Sequence, residues 1–230
     1  MNTPSIALTE IEYPESDGRP MGETDLHRDW MFRIIEMLRY HFRGRRVYVS
    51  GDLLVYYEEG NPRKFVVPDA FVVKDCDSHR RRVFKIWEEH RVPNVSFETT
   101  SRSTRAVDEK KKPAIYKRLG VPEYFLYDPT ADYLDPPLIG YRLGPRGYKA
   151  IAADADGRLL CRELGLYLAL QDGDLVMLDA ATGDRLLTEA EAAHSTANER
   201  EQALEAERSA RLAAEAELER LKEELRRRGS

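Results

Sequence analysis

The chain has 230 residues, 42% hydrophobic and 33% charged, and its 36 basic against 41 acidic side chains leave a net charge of −5. No global field therefore draws it to nucleic acid, and any such contact has to come from a local basic patch. Two cysteines exclude a disulfide framework and point to a reducing compartment, and no run approaches the roughly 18 apolar residues of a membrane span.

Residues 1–22 read as an irregular arm broken by Pro4, Pro14, Gly18 and Pro20, with no basic region followed by an apolar run, so no secretory signal is expected. In the next segment His27, Met31, Ile34, Ile35, Leu38 and Phe42 recur at helical spacing, which predicts an amphipathic helix over 24–42 capped by Thr24 or Asp25. "RVYVSGDLLVYYEEG" predicts strand, turn and strand, and "RKFVVPDAFVVKD" a strand pair around Pro68. Residues 78–92 are a charged connection with a short helix. "NVSFETT" is the next strand, "STRAVDEKKKPAIYKRLG" a helix and "VPEYFLYDP" a strong strand. From 132 to 185, short strands between Gly, Pro and Asp turns predict a meander of hairpins.

After residue 188 no glycine or proline occurs until Gly229, and Ala203, Ala206, Ala210, Ala214, Leu218, Leu221 and Leu225 step by three or four. Across 197–228 nine acidic residues face eight basic ones. A narrow apolar seam between balanced charges predicts a C-terminal coiled-coil helix over 188–228; a single solvated helix is the competing reading, because alanine weakens half of the seam.

Glu98 stands in the middle of the strand "NVSFETT", where an unpaired carboxylate costs several kcal/mol. Asp69 follows Pro68 and leads directly into "AFVV". Two acids aimed at one spot from adjacent strands repel each other, and a divalent cation bound by carboxylate oxygens removes that penalty. Such an ion activates water and polarises a phosphodiester, while a lysine steadies the developing charge. Lys110, Lys111 and Lys112 open the following helix as candidates. The alternative for Glu98 is a buried ion pair with Arg102 or Arg105. His27 faces inward on the first helix, one turn after Glu23, and either residue could complete the site; Asp52 in "SGDLLVYY" could point into the same cleft. Asp108 has a plain structural role open to it at the helix N-terminus, and Tyr116 and Tyr124 read as core.

"SGDLLVYYEEGNPRKFVVPDAFVV", "SFETTSRSTRAVDEKKKPAIYKRLGVPEYFLYDP" and "DGRPMGETDLHRDW" together resemble the Uma2 family of restriction-endonuclease-like proteins over about residues 10–185. The resemblance implies an α/β (α+β) fold over 23–185, a restriction-endonuclease-like mixed sheet flanked by helices with the PD-(D/E)xK site. Pro68-Asp69 is then the "PD", Glu98 the second acid, and Asp108, Lys112 and Tyr116 match the family spacing. One departure is plain: the position two residues after Glu98, where the superfamily has its lysine, is Thr100. The resemblance implies that the lysine has moved to the helix, with Lys112 the candidate. Pro113 then belongs in a first helical turn, where its missing amide costs least.

These readings converge on a metal-dependent endonuclease acting on DNA, with Asp69, Glu98 and Glu23 as ligands of Mg²⁺ or Mn²⁺, Lys112 and His27 as catalytic groups, and Asp52 and Asp108 in support. Residues 102–118 hold seven basic side chains against two acidic ones, so Arg102, Arg105, Lys110 and Lys111 are candidate nucleic-acid contacts. Arg80, Arg81, Arg82, Lys85 and Arg91 form a second patch. A cytoplasmic prokaryotic protein, dimerised through the C-terminal helix, is the expectation. Neither zinc-ligand spacing nor a Gly-rich phosphate loop occurs, so no nucleotide cofactor is expected. The runner-up is an inactive nuclease fold serving as a nucleic-acid or protein-binding module, and a scaffold acting through its tail is third.

Overall fold

The computed structural model describes residues 11–16, 24–101 and 104–228, and the chain divides into two compact units, the first ending at Leu186 and the second beginning at Leu187. In the first unit, helix α1 (Asp25–His41) starts where the Thr24 side chain accepts a hydrogen bond from the His27 amide. Its buried stripe is His27, Trp30, Met31, Ile34, Ile35, Met37 and Leu38.

The α1 stripe lies on a six-stranded mixed sheet made of β1 (Val47–Ser50), β4 (Ala70–Lys74), β6 (Val95–Thr99), β7 (Glu123–Tyr127), β8 (Leu138–Gly144) and β9 (Gly147–Ala150), in that spatial order. Only β6 and β7 run parallel within it, and the helix α3 (Lys112–Leu119) crosses between them. Side chains alternate across the sheet as the pleat requires. Ala70, Val72, Val95, Phe97 and Phe125 pack with α1, while Phe71, Val73, Tyr124 and Leu126 pack with Tyr116 and Val121 on the other face. A three-stranded sheet, β2 (Val55–Tyr56), β3 (Phe65–Val66) and β5 (Phe84–Lys85), contributes Val55, Val66 and Phe84 to that second face.

Three differences from the sequence pattern stand out. The predicted meander is two things: β8 and β9 extend the main sheet, and only β10 (Leu159–Cys161), β11 (Leu166–Gln171) and β12 (Asp174–Asp179) form a separate sheet, over the α1 face. The 78–92 connection holds the strand β5 as well as the short helix α2 (Ile86–Glu89). Helix α3 (Lys112–Leu119) is preceded by a widened π-type turn, Val107–Lys111, and Pro113 falls in its first turn. A π turn relieves the clash of a proline ring with the carbonyl four residues back and is common at functional sites.

Gly51 couples this packing to Asp69. A Cβ built on it would lie 1.9 Å from the Asp69 carbonyl oxygen and 2.6 Å from Ile35 Cδ1. Gly51→Ala is therefore expected to cost about 1–3 kcal/mol or more, as overpacking against backbone does. Urea unfolding checks this, and a variant as stable as wild type would contradict it.

The second unit holds α4 (Glu189–Arg228), whose 40 residues span roughly 60 Å at 1.5 Å each. Thr188 and Glu191 open it as a reciprocal capping box, each side chain accepting from the other's amide. Pairs such as Arg211–Glu215 and Arg227–Glu223 lace its surface, and Leu204, Leu212, Leu218 and Leu221 are exposed. Among the described residues no helix is long and apolar enough to cross a membrane.

Candidate active site

Strands β4 and β6 are antiparallel neighbours with Ala70 opposite Phe97, so the register continued by one residue sets Asp69 opposite Glu98. The two acids interlock there. The Asp69 amide donates to Glu98 Oε2 at 3.3 Å, and the Thr99 amide donates to Asp69 Oδ2 at 2.7 Å. Glu98 belongs to the alternation that points away from α1, toward α3. From α3, Lys112 Nζ reaches Glu98 Oε2 at 2.5 Å, Asp108 Oδ1 at 3.0 Å and Asp69 Oδ1 at 3.7 Å. The four-residue step from Asp108 to Lys112 to Tyr116 stacks all three on one helical face, and the Tyr116 hydroxyl donates to Glu98 Oε1. His27 closes the other side, its Nε2 3.4 Å from Asp69 Oδ2.

The cluster gathers three carboxylates around one ammonium in a nearly dry place, with Glu98 and Asp108 1% exposed or less. Burial, together with the neighbouring Asp69 and Asp108 charges, pushes the Glu98 carboxyl up to about 8 despite Lys112. Burial likewise lifts Asp69 to about 6, against the pull of Lys112 and His27. For Lys112 burial works the opposite way, but Glu98, Asp69 and Asp108 outweigh it and hold the ammonium well above its ordinary range. Burial, then the Glu98 charge, keeps the Tyr116 phenol protonated as a donor.

The donor set fits a hard divalent cation. Asp69 and Glu98 offer carboxylate oxygens from opposed positions, and burial, with a smaller contribution from the neighbouring carboxylates, raises the cost of ionising them, which a bound cation offsets. Among the described residues no three His, Cys, Asp or Glu side chains form a ready cage. A hard divalent cation such as Mg²⁺ is ordinarily held by one or two carboxylates, with water and substrate phosphate in its remaining positions.

Asp69, Glu98, Asp108, Lys112 and His27 thus come together. Thr100, where the superfamily pattern has a lysine, is buried and donates through its hydroxyl to Asp108 Oδ2 at 3.4 Å. Asp52 is an exposed turn residue with φ +46° whose amide donates to the Pro68 carbonyl, next to Asp69. Arg105 pairs with Glu109 at 3.2 Å, and the partner of Glu98 is Lys112. Lys110 and Lys111 are exposed on the π turn. Glu23 and Arg102 lie outside the described residues. Tyr116 is core, as its sequence context suggests, and also part of the cluster, since its ring packs near Tyr124 while its hydroxyl reaches Glu98.

Residues 7–178 match the model of the Uma2 family, described as "Putative restriction endonuclease". A crystal structure of a "putative nuclease belonging to DUF820" from Anabaena variabilis ATCC 29413 is similar at 14% identity and a TM-score of 0.44, covering 61% of this chain and 79% of that one. No functionally curated protein matches the chain significantly.

Proposed function

The chain belongs to the Uma2 family of restriction-endonuclease-like proteins, and from that premise we propose that it is a divalent-metal-dependent endonuclease hydrolysing phosphodiester bonds of DNA. The observation that carries the proposal is the opposed pair Asp69 and Glu98 with Lys112 Nζ 3.7 and 2.5 Å away. Asp69 and Glu98 would hold Mg²⁺ or Mn²⁺, which when bound supplies Lewis-acid polarisation of the phosphate and a more acidic water. Lys112 places positive charge where the pentavalent phosphate gains negative charge. Asp108 anchors that ammonium from one helical turn earlier. Tyr116 fixes Glu98 through Oε1, leaving Oε2 toward Lys112, and His27 orients Asp69. Exposed Arg105, Lys110 and Lys111 beside the cluster would meet the DNA backbone.

In this proposal α4 pairs with the same helix of a second copy, because its exposed leucines have an apolar seam to cover and two sites are needed to cut both strands.

Full-length protein incubated with supercoiled plasmid should nick it with Mg²⁺ or Mn²⁺, not with EDTA, and Asp69→Asn should not nick. RNA of the same sequence should survive. Absence of cation-dependent cleavage would favour the second reading, an inactive binding module. One observation supports that reading: Lys112 already neutralises Glu98 without a metal.

A further inference from the structure

We infer that a cavity of about 620 Å³ beside β1 is a phosphate-backbone site, which holds a nucleic-acid strand away from the bond being cut. The inference rests on the nuclease reading and extends it to a second contact surface. The lining carries Arg39, Arg43, Arg45, Arg80 and Arg81 with His79 and, among the described residues, no acidic one. Asp179, which feels the charge of Arg45, lies outside the lining.

Only Arg81 is consumed by the fold. It forks onto both Glu89 oxygens and lies over the Tyr48 ring at 4.2 Å. Three of the others are held by neutral groups: Arg39 donates to the Val49 carbonyl at 3.1 Å, Arg43 lies over Tyr40 at 3.9 Å and Arg45 over Phe42 at 5.5 Å. Arg39, Arg43, Arg45 and Arg80 are exposed and, among the described residues, have no carboxylate within 4.0 Å. Clustered guanidinium groups without counter-charge repel one another, and an anion offsets this; their forked donors suit phosphate oxygens.

The cavity is linked to the cleavage cluster through the strand that lines it. Its floor is β1, an edge strand, and Gly51, the residue after β1, touches the Asp69 backbone. From Val47 to Ser50 the strand covers roughly 10–13 Å. About three phosphates of one duplex strand, at 3.4 Å each along the axis, match that length. A second copy adding to the β1 edge is disfavoured, because it would bring two sets of unpaired arginines together, the usual protection of an edge strand.

The test is fluorescence anisotropy of a short labelled duplex with full-length protein in EDTA, across a range of salt. The groove triple Arg43→Ala/Arg45→Ala/Arg80→Ala is compared with the exposed control triple Arg146→Ala/Arg162→Ala/Arg185→Ala. The groove triple should bind at least ~10-fold more weakly, and its log–log salt slope should be shallower by about 2–3, near 0.9 per phosphate lost. The control triple should bind like wild type, and inorganic phosphate at matched ionic strength should not displace the duplex. If wild type binds and nicks DNA but both triples bind alike, the groove inference is overturned and the nuclease reading stands. Displacement by inorganic phosphate would make this a small-anion site and overturn it as well. If wild type neither binds duplex nor nicks plasmid, the nuclease reading falls and takes the groove with it.

Discussion

Lys112→Met is expected to destabilise the protein by about 3–5 kcal/mol and to abolish cleavage at the same time, because it leaves buried acids without their counter-charge. Lys112 Nζ is the shared partner of Glu98, Asp108 and Asp69, at 2.5, 3.0 and 3.7 Å. Methionine matches the stem but not the charge, so the loss isolates electrostatics from packing. Its neighbours Lys110 and Lys111 are exposed, and replacing either with alanine should stay within about 0.5 kcal/mol of wild type. Urea titrations of the three variants, fitted with a common slope, measure this contrast. A Lys112→Met protein as stable as Lys111→Ala would show that the ammonium does not hold the carboxylates together.

Glu98→Gln should behave in the opposite way, losing at least ~10²-fold in cleavage while matching or exceeding wild-type stability at pH 7. The amide keeps the acceptor for Tyr116 and mimics the neutral carboxyl, so no buried charge has to form at this position. The pH dependence follows from the raised carboxyl. With its value lifted from 4.5 to about 8, the folded chain keeps a proton that the unfolded chain has lost. The stability that Glu98 contributes is complete below pH 4.5 and is lost as pH rises through 8, by up to about 1.4 kcal/mol per pH unit. Asp69 acts in the same direction between 3.8 and about 6. Wild-type melting temperature without metal should therefore fall over this range, and Glu98→Gln should flatten the fall. Mg²⁺ binds the ionised carboxylates, so it should raise the wild-type melting temperature more at pH 8 than at pH 5. A pH profile identical in wild type and Glu98→Gln would contradict the buried-carboxylate account.

Much of this site is legible in the chain because its parts violate local expectations. A glutamate centred in a strand of buried residues is conspicuous on its own, and Pro68-Asp69 at the entry to "AFVV" supplies its partner. The α1 stripe is equally plain, since His27 shares its period with Ile34 and Leu38. Other features depend on pairings distant in sequence. Hairpin patterning draws β8 and β9 correctly as local strands, but only the pairing of Glu123–Tyr127 with Leu138–Arg142 assigns them to the main sheet. Tyr116 has the context of a core residue, and its hydroxyl meets Glu98 only once α3 lies across β6. The 80–91 basic cluster dissolves on folding: Arg81 goes to Glu89, Arg82 to Glu15 and Lys85 to Glu88. What replaces it is the groove, where Arg80 joins Arg39, Arg43 and Arg45 because β1 pairs with β4.

Calorimetric titration of Mn²⁺ into the full-length wild type and Asp69→Asn tests the central claim most directly, since it asks whether the opposed carboxylates exist to hold a cation. The account predicts a saturable binding heat for wild type and none for Asp69→Asn, with both proteins melting cooperatively. No binding by wild type, or equal binding by the variant, would contradict it and leave Lys112 and its three acids as a structural ion cluster.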